Sequence, residues 1–236
     1  MKPIHPIITK FLQAVGKGEV EIYNEISLQH ELGFYLREHF KNQKSKNRVQ
    51  FERNVSDFDF EPPEGGFEKR EIDIVIKPTY SEKLLCAIEL KCPRNGQVPE
   101  SMFSFCKDIA FLEQLVWSGF PSAYFLAVAD HRLFYSDSES NENIYRFFRS
   151  GKLGQFRGSE PITGIINKPT GSDKHKQVEI DGSYQVEWLP VSGDLKYCLI
   201  SVGSKPLHYR PLEEYLAARQ RQKKLDLRGT GVKLVA

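Results

Sequence analysis

The sequence predicts a mixed α/β domain in which a central mixed β-sheet is flanked by helices. Three observations carry that expectation. An apolar stripe at helical spacing runs from about Tyr23 to Phe40. Two short strand-like segments come next, Glu71 to Ile76 with clean alternation and Leu84 to Leu90 more uniformly apolar, as a central strand is. A second helical pattern, Ser101 to Trp117, then leads into another buried strand, Ser122 to Ala129, so that the order is helix, strands, helix, strand.

Each element has its own signature in chain order. Ile8, Phe11, Leu12 and Val15 form one face of a short helix between Ile7 and Val15, ended by Gly16 and Gly18. In the longer helix the stripe is Ile26, Leu28, Leu32, Tyr35, Leu36 and Phe40, followed by a polar, basic loop from Lys41 to Arg48. Val49 to Val55 reads as a strand, and Asp57 to Gly66, rich in acid, Pro and Gly, as an exposed turn. Pro78 to Lys83 connects the two central strands. The helix from Ser101 turns Phe105, Ile109, Leu112, Leu115 and Val116 to one face. Beyond Ala129 the expectations are a hairpin extension at Leu133 to Tyr135 around Asp130-His131 and helical structure at Asn143 to Phe148. The Gly-, Lys-, Ser-, Thr- and Pro-rich stretch from Gly151 to Gly182 reads as a long irregular excursion. Leu195 to Val202 recovers a strand and Pro211 to Gln222 a helix with Pro in its first turn, before a basic end from Arg219 to Arg228. The expected organisation is a single domain over residues 1–236, with a core at about 19–150 and a C-terminal elaboration at about 151–236.

Composition narrows the function classes. With 40% hydrophobic and 27% charged residues the chain is too apolar for a disordered one, and a buried core is expected. The formal net charge is only +2, so nucleic-acid binding has to come from local basic patches. Met1-Lys2-Pro3-Ile4-His5-Pro6 lacks the apolar run of a signal peptide, and no later stretch approaches the roughly 20 apolar residues of a membrane span. A soluble, cytoplasmic protein with no membrane partner is expected. Cys86, Cys92, Cys106 and Cys198 have neither CxxC spacing nor the density of a disulfide scaffold, which predicts reduced thiols in or near the core. The six histidines show no HxH or HExxH spacing, and His30 and His39 lie too far apart on one helix to hold a single metal. Gly-rich phosphate loops, a Ser nucleophile elbow and a GxGxxG fingerprint are absent, which removes the kinase, triad-hydrolase and dinucleotide readings.

The chemistry concentrates on the two central strands. Strand alternation sets Glu71, Asp73 and Val75 on one side and Ile72, Ile74 and Ile76 on the other, and Glu89 and Lys91 likewise share a side. Neighbouring strands then gather Asp73, Glu89 and Lys91, with two carboxylates that repel unless a cation separates them. Magnesium favours oxygen ligands, so Asp73, Glu89, the Leu90 backbone carbonyl, water and a substrate phosphate form a coherent set, in which manganese can substitute. Such an ion polarises a scissile phosphate and lowers the pKa of an attacking water, while Lys91 orients that water or stabilises developing negative charge. The same residues also suit a solvated sheet face with cross-strand salt bridges. Element order, turn length and the flanking helices agree on the site instead.

Glu71-Ile72-Asp73-Ile74-Val75-Ile76, a turn, and Cys86-Ala87-Ile88-Glu89-Leu90-Lys91 resemble the PD-(D/E)XK motif of restriction endonucleases and related nucleases. Ile72 stands where the family label has Pro, a departure that touches no ligand. The resemblance spans roughly Asn24 to Ala129. It implies a restriction-endonuclease-like core with a C-terminal extension, the aspartate and the Glu-x-Lys pair on adjacent strands, and magnesium for hydrolysis of DNA, less often RNA. It also implies a glutamate from an early helix, here Glu25, which a helical projection sets near the middle of the stripe of Leu28, Leu32 and Leu36; Glu31 is second choice. In the following helix, Lys107-Asp108-Ile109 resembles the family's polar face and gives Lys107 an accessory role. The implied activity is that of a magnesium-dependent endodeoxyribonuclease in restriction, defence or repair, with Asp73, Glu89, Lys91 and Glu25 catalytic and DNA, or RNA, as partner. A homodimer would give two strands two sites. Two further classes stand beside it: a non-catalytic nucleic-acid-binding or assembly protein on the same fold, and an interaction protein whose acids and lysines are plain surface. The basic segments Lys41 to Arg48 and Arg219 to Arg228 suit phosphates or simple solvation alike.

Overall fold

The computed structural model describes residues 4–203 apart from 44, 45, 64, 81, 82, 95, 137–142, 151, 153, 172 and 174. Helices α1 (His5–Gly16) and α2 (Glu25–Asn42) precede strands β1 (Asn47–Asn54), β2 (Glu71–Pro78) and β3 (Cys86–Lys91). Helix α3 (Val98–Ser118) leads to β4 (Ser122–Ala129), followed by β5 (Ile162–Asn167), β6 (Gln177–Tyr184), β7 (Leu189–Ser192) and β8 (Leu195–Gly203). A reciprocal cap sets the start of α2. Asn24 Oδ1 accepts from the Ser27 amide at 2.7 Å while Ser27 Oγ accepts from the Asn24 amide at 3.0 Å, which fixes the first turn and the Glu25 within it.

Six strands form one mixed sheet in the order β1-β2-β3-β4-β8-β7, consistent with the expected α/β class. Strands β3 and β4 are the parallel pair, and α3 supplies the crossover that parallel neighbours need; the other pairs are antiparallel. Both faces are covered. On one, Val75, Ala87 and Phe125 pack with Phe105, Ile109 and Leu112 of α3. On the other, Ile74, Ile76 and Ile88 pack with Ile8 and Phe11 of α1 and with Leu28, Leu32 and Leu36 of α2. Alternation along β2 therefore sorts side chains between two cores, and a polar residue on either face is enclosed unless it stands at a strand end. Helix α2 lies hard against β1. A Cβ at Gly33 would fall 2.1 Å from the Phe51 ring, so only glycine permits this approach.

Three stretches depart from the sequence expectations or fall outside them. Leu133 to Tyr135 makes no hairpin: Arg132–Phe134 is a 3-10 turn in which the Phe134 and Tyr135 amides return to the His131 and Arg132 carbonyls at 3.1 Å, using locally the groups a ladder would have needed. The stretch from Gly151 to Gly182 is not irregular throughout, because β5 and β6 pair as a separate two-stranded sheet. Ile162, Ile166, Val178 and Ile180 bury that hairpin on the α3 side of the molecule. A register shift between Ile162 and Gly164, the latter at φ +69°, breaks the alternation by which a strand is read. The helix expected at Pro211 to Gln222 and the basic end lie outside the described residues. Leu195–Gly203 forms as expected and pairs between β4 and β7, so the main sheet draws on chain from both sides of residue 150. All four cysteines are free and buried. Among the described residues no helix is long and apolar enough to cross a membrane.

Candidate active site

Backbone pairing between β2 and β3 begins at Ile74 opposite Ile88, and one residue further out side chains replace the ladder. Asp73 Oδ2 accepts from the Leu90 amide at 2.7 Å, and Glu89 Oε1 accepts from the Asp73 amide at 3.2 Å. Each carboxylate is thus pinned through one oxygen by a main-chain donor, and its other oxygen turns to the face covered by α3. There the Lys69 ammonium pairs with Glu89 and lies 3.3 Å from Asp108 Oδ1 and 3.8 Å from Asp73 Oδ1. Lys91 Nζ sits 3.2 Å from both Glu25 Oε1 and Asp108 Oδ2 and donates to the Leu90 carbonyl at 3.0 Å. Glu25 closes the cluster by accepting from the Cys92 amide at 3.3 Å. Behind Asp73, Gln29 Nε2 donates to its carbonyl oxygen at 2.9 Å and also to Glu52.

The Glu89 side chain is fully buried, Asp73 is 15% exposed and Lys91 16%. Burial, followed by the charges of Asp73 and Asp108, pushes Glu89 well above the usual carboxylate range against the pull of Lys69. Burial also lifts Asp73 to about 6, although Lys69 and the Leu90 amide oppose the rise. For Lys91 burial acts downward, but Asp108 and Glu25 outweigh it and the ammonium ends above its ordinary value. Lys69 follows the same pattern under Glu89, Asp108 and Asp73. Both lysines are therefore cations at neutral pH.

The four expected site residues meet here, with one correction of setting. Glu25 is 46% exposed at the mouth of the cluster, not enclosed in the apolar stripe, because it occupies the first position of α2, before the helix passes under the sheet. Glu31 lines a separate surface recess with His30, Phe34, Arg37 and Phe51. Lys107 is half-buried on α3, while its neighbour Asp108 is the residue turned inward, 2% exposed. Asp108, Lys69 and Gln29 were not legible as site residues from the motif. Asp108 did carry a signal: it falls between Phe105, Ile109 and Leu112 in the apolar stripe of α3, where a charge needs a partner. Lys69 stands in irregular chain before β2 and carries none.

The donor set suits a hard cation. Asp73 and Glu89 are held by amides with one oxygen each facing the Lys69 ammonium, while the Leu90 carbonyl accepts from Lys91. Among the described residues no group of three or more His, Cys, Asp and Glu side chains is placed to hold a metal ion, so protein oxygens at this point would supply only part of an ion's coordination. No family model, curated protein or solved structure matches the chain.

Proposed function

We propose that the chain is a metal-dependent nuclease of the restriction-endonuclease-like PD-(D/E)XK type, acting on DNA. The observation that carries the reading is the convergence of Asp73, Glu89 and Lys91 at the open end of the β2–β3 pair, with both carboxylates pinned by main-chain amides. Asp73, Glu89 and the Leu90 carbonyl would hold a magnesium ion, which when bound supplies Lewis acidity to the scissile phosphate and a more acidic water.

The chain's own groups do the rest. Lys91, kept cationic by Asp108 and Glu25, cannot take a proton from water; it donates to the attacking water or to the phosphate oxygens as negative charge develops. Glu25 holds the Lys91 ammonium from the solvent side, and Asp108 holds it from below. The enclosed Glu89 keeps bulk water from the inner side of the site, which strengthens each of these interactions.

The test is incubation of the protein with supercoiled plasmid and with RNA, with magnesium, manganese or chelator, beside Asp73→Ala and Lys91→Ala proteins. Cleavage that needs metal and is lost in both variants is the expected result. The occupation of the carboxylate pair by Lys69 favours one second reading, a nucleic-acid-binding or assembly scaffold on the same fold. That reading predicts DNA retention without metal uptake or cleavage.

A further inference from the structure

Lys69 is the one member of the cluster that comes from irregular chain, since the residues it touches sit on β2, β3 and α3. Its ammonium has three N–H groups and three carboxylates around it: Glu89, Asp108 at 3.3 Å and Asp73 at 3.8 Å. Asp73 and Glu89 are fixed by amides, so the geometry of the oxygens does not depend on the lysine that joins them. The lysine, by contrast, sits on a four-carbon stem and is 25% exposed. Asp108 Oδ2 is buried and, among the described residues, has no hydrogen bond, only the 3.2 Å ion pair with Lys91.

We infer that Lys69 is a displaceable internal counter-ion: its ammonium holds the position of the divalent ion between Asp73 and Glu89, and the ion enters only as Lys69 withdraws toward solvent. This rests on the metal-dependent reading above and adds to it the residue that sets metal affinity. Lys91 cannot play that part, because it is held at the rim between Glu25 and Asp108 and not between the two pinned carboxylates. Two cations of like sign cannot share the Asp73–Glu89 gap, so every interaction Lys69 makes there opposes metal binding.

Two measurements test this. The first is calorimetric titration of the metal-free protein and of Lys69→Met with Mn2+, methionine keeping the stem and removing the charge. The variant is expected to bind about tenfold more tightly. The second uses the wild-type protein: amine acetylation followed by peptide mass spectrometry, with and without saturating Mn2+. Labelling of Lys69 is expected to rise several-fold with metal, while that of Lys17, an exposed control, stays constant. Equal or weaker Mn2+ binding by folded Lys69→Met, or Lys69 labelling that is flat or reduced on metal addition, overturns the inference and leaves the nuclease reading in place. Absence of Mn2+ binding by both proteins overturns the two together. If Lys69→Met does not fold, the labelling result decides alone.

Discussion

Helix α3 buries two carboxylates little more than one turn apart, Asp108 and Glu113, each 2% exposed, and their circumstances are opposite. Glu113 accepts from the Asp181 and Gly182 amides at 3.0 and 2.7 Å and from the Tyr184 hydroxyl at 2.8 Å. It is a clasp that fastens β6 to α3, and every partner but one belongs to the main chain. Asp108 is met instead by two ammoniums on long stems, and one of its oxygens has no hydrogen bond among the described residues. A buried acid satisfied by fixed amides is committed to one arrangement, whereas one satisfied by movable cations can exchange them. Glu113 is of the first kind and Asp108 of the second.

The contrast can be broken most decisively at the strand ends. Asp73→Ala is expected to lower plasmid cleavage by on the order of a thousandfold, with a smaller cost of about 1 kcal/mol in urea unfolding for the one Leu90 amide left without an acceptor. Glu113→Ala is expected to do the reverse, costing about 3 kcal/mol in urea unfolding because two buried amides and a phenol lose their acceptor, with activity retained wherever the protein remains folded. A folded Glu113→Ala protein that is inactive would collapse the distinction.

Protonation sharpens it further. Burial raises Glu113 from 4.5 to about 7, against the pull of the Asp181 and Gly182 amides and the Tyr184 hydroxyl, so the folded state binds this proton more tightly than the unfolded chain. The stability it contributes is complete below about pH 4.5 and is lost as pH rises through 7. Glutamine at 113 stays neutral throughout. The stability of wild type relative to Glu113→Gln should therefore fall by about 3 kcal/mol between pH 4 and pH 8, and a constant difference would contradict the assignment.

Smaller effects on cleavage separate the two neighbours on α3. Asp108→Asn is expected to reduce cleavage about tenfold through a less firmly held Lys91, and to cost about 3 kcal/mol in urea unfolding because Lys69 and Lys91 lose a buried counter-charge. Lys107→Ala should alter neither by a measurable amount, within about 0.5 kcal/mol in unfolding.

Much of this organisation can be read from residue order. The alternation of Glu71 to Ile76 and the apolar run before Glu89 identify the two strands, and Glu89-Leu90-Lys91 lie where strand period sets them. Asp108 carries the same signal as Glu25, a charge at an apolar-stripe position, although the motif itself points to its neighbour Lys107. Lys69 cannot be read in that way. Its position follows from how the chain from Gly65 to Arg70 returns over Phe111, a long-range packing outcome with no local period. The β5–β6 hairpin was hidden for a related reason: the bulge at Gly164 removes the regular spacing on which strand recognition depends.

Gly33 lies eight residues along α2 from Glu25, a distance of about 12 Å at helical rise. With the Phe51 ring as fulcrum, α2 is a lever whose far end carries the acid that meets Lys91. A single methyl group at residue 33 would have to displace either the Phe51 ring or the helix, and only the second would change the Glu25–Lys91 distance, so a contact remote from the charged cluster bears on its alignment.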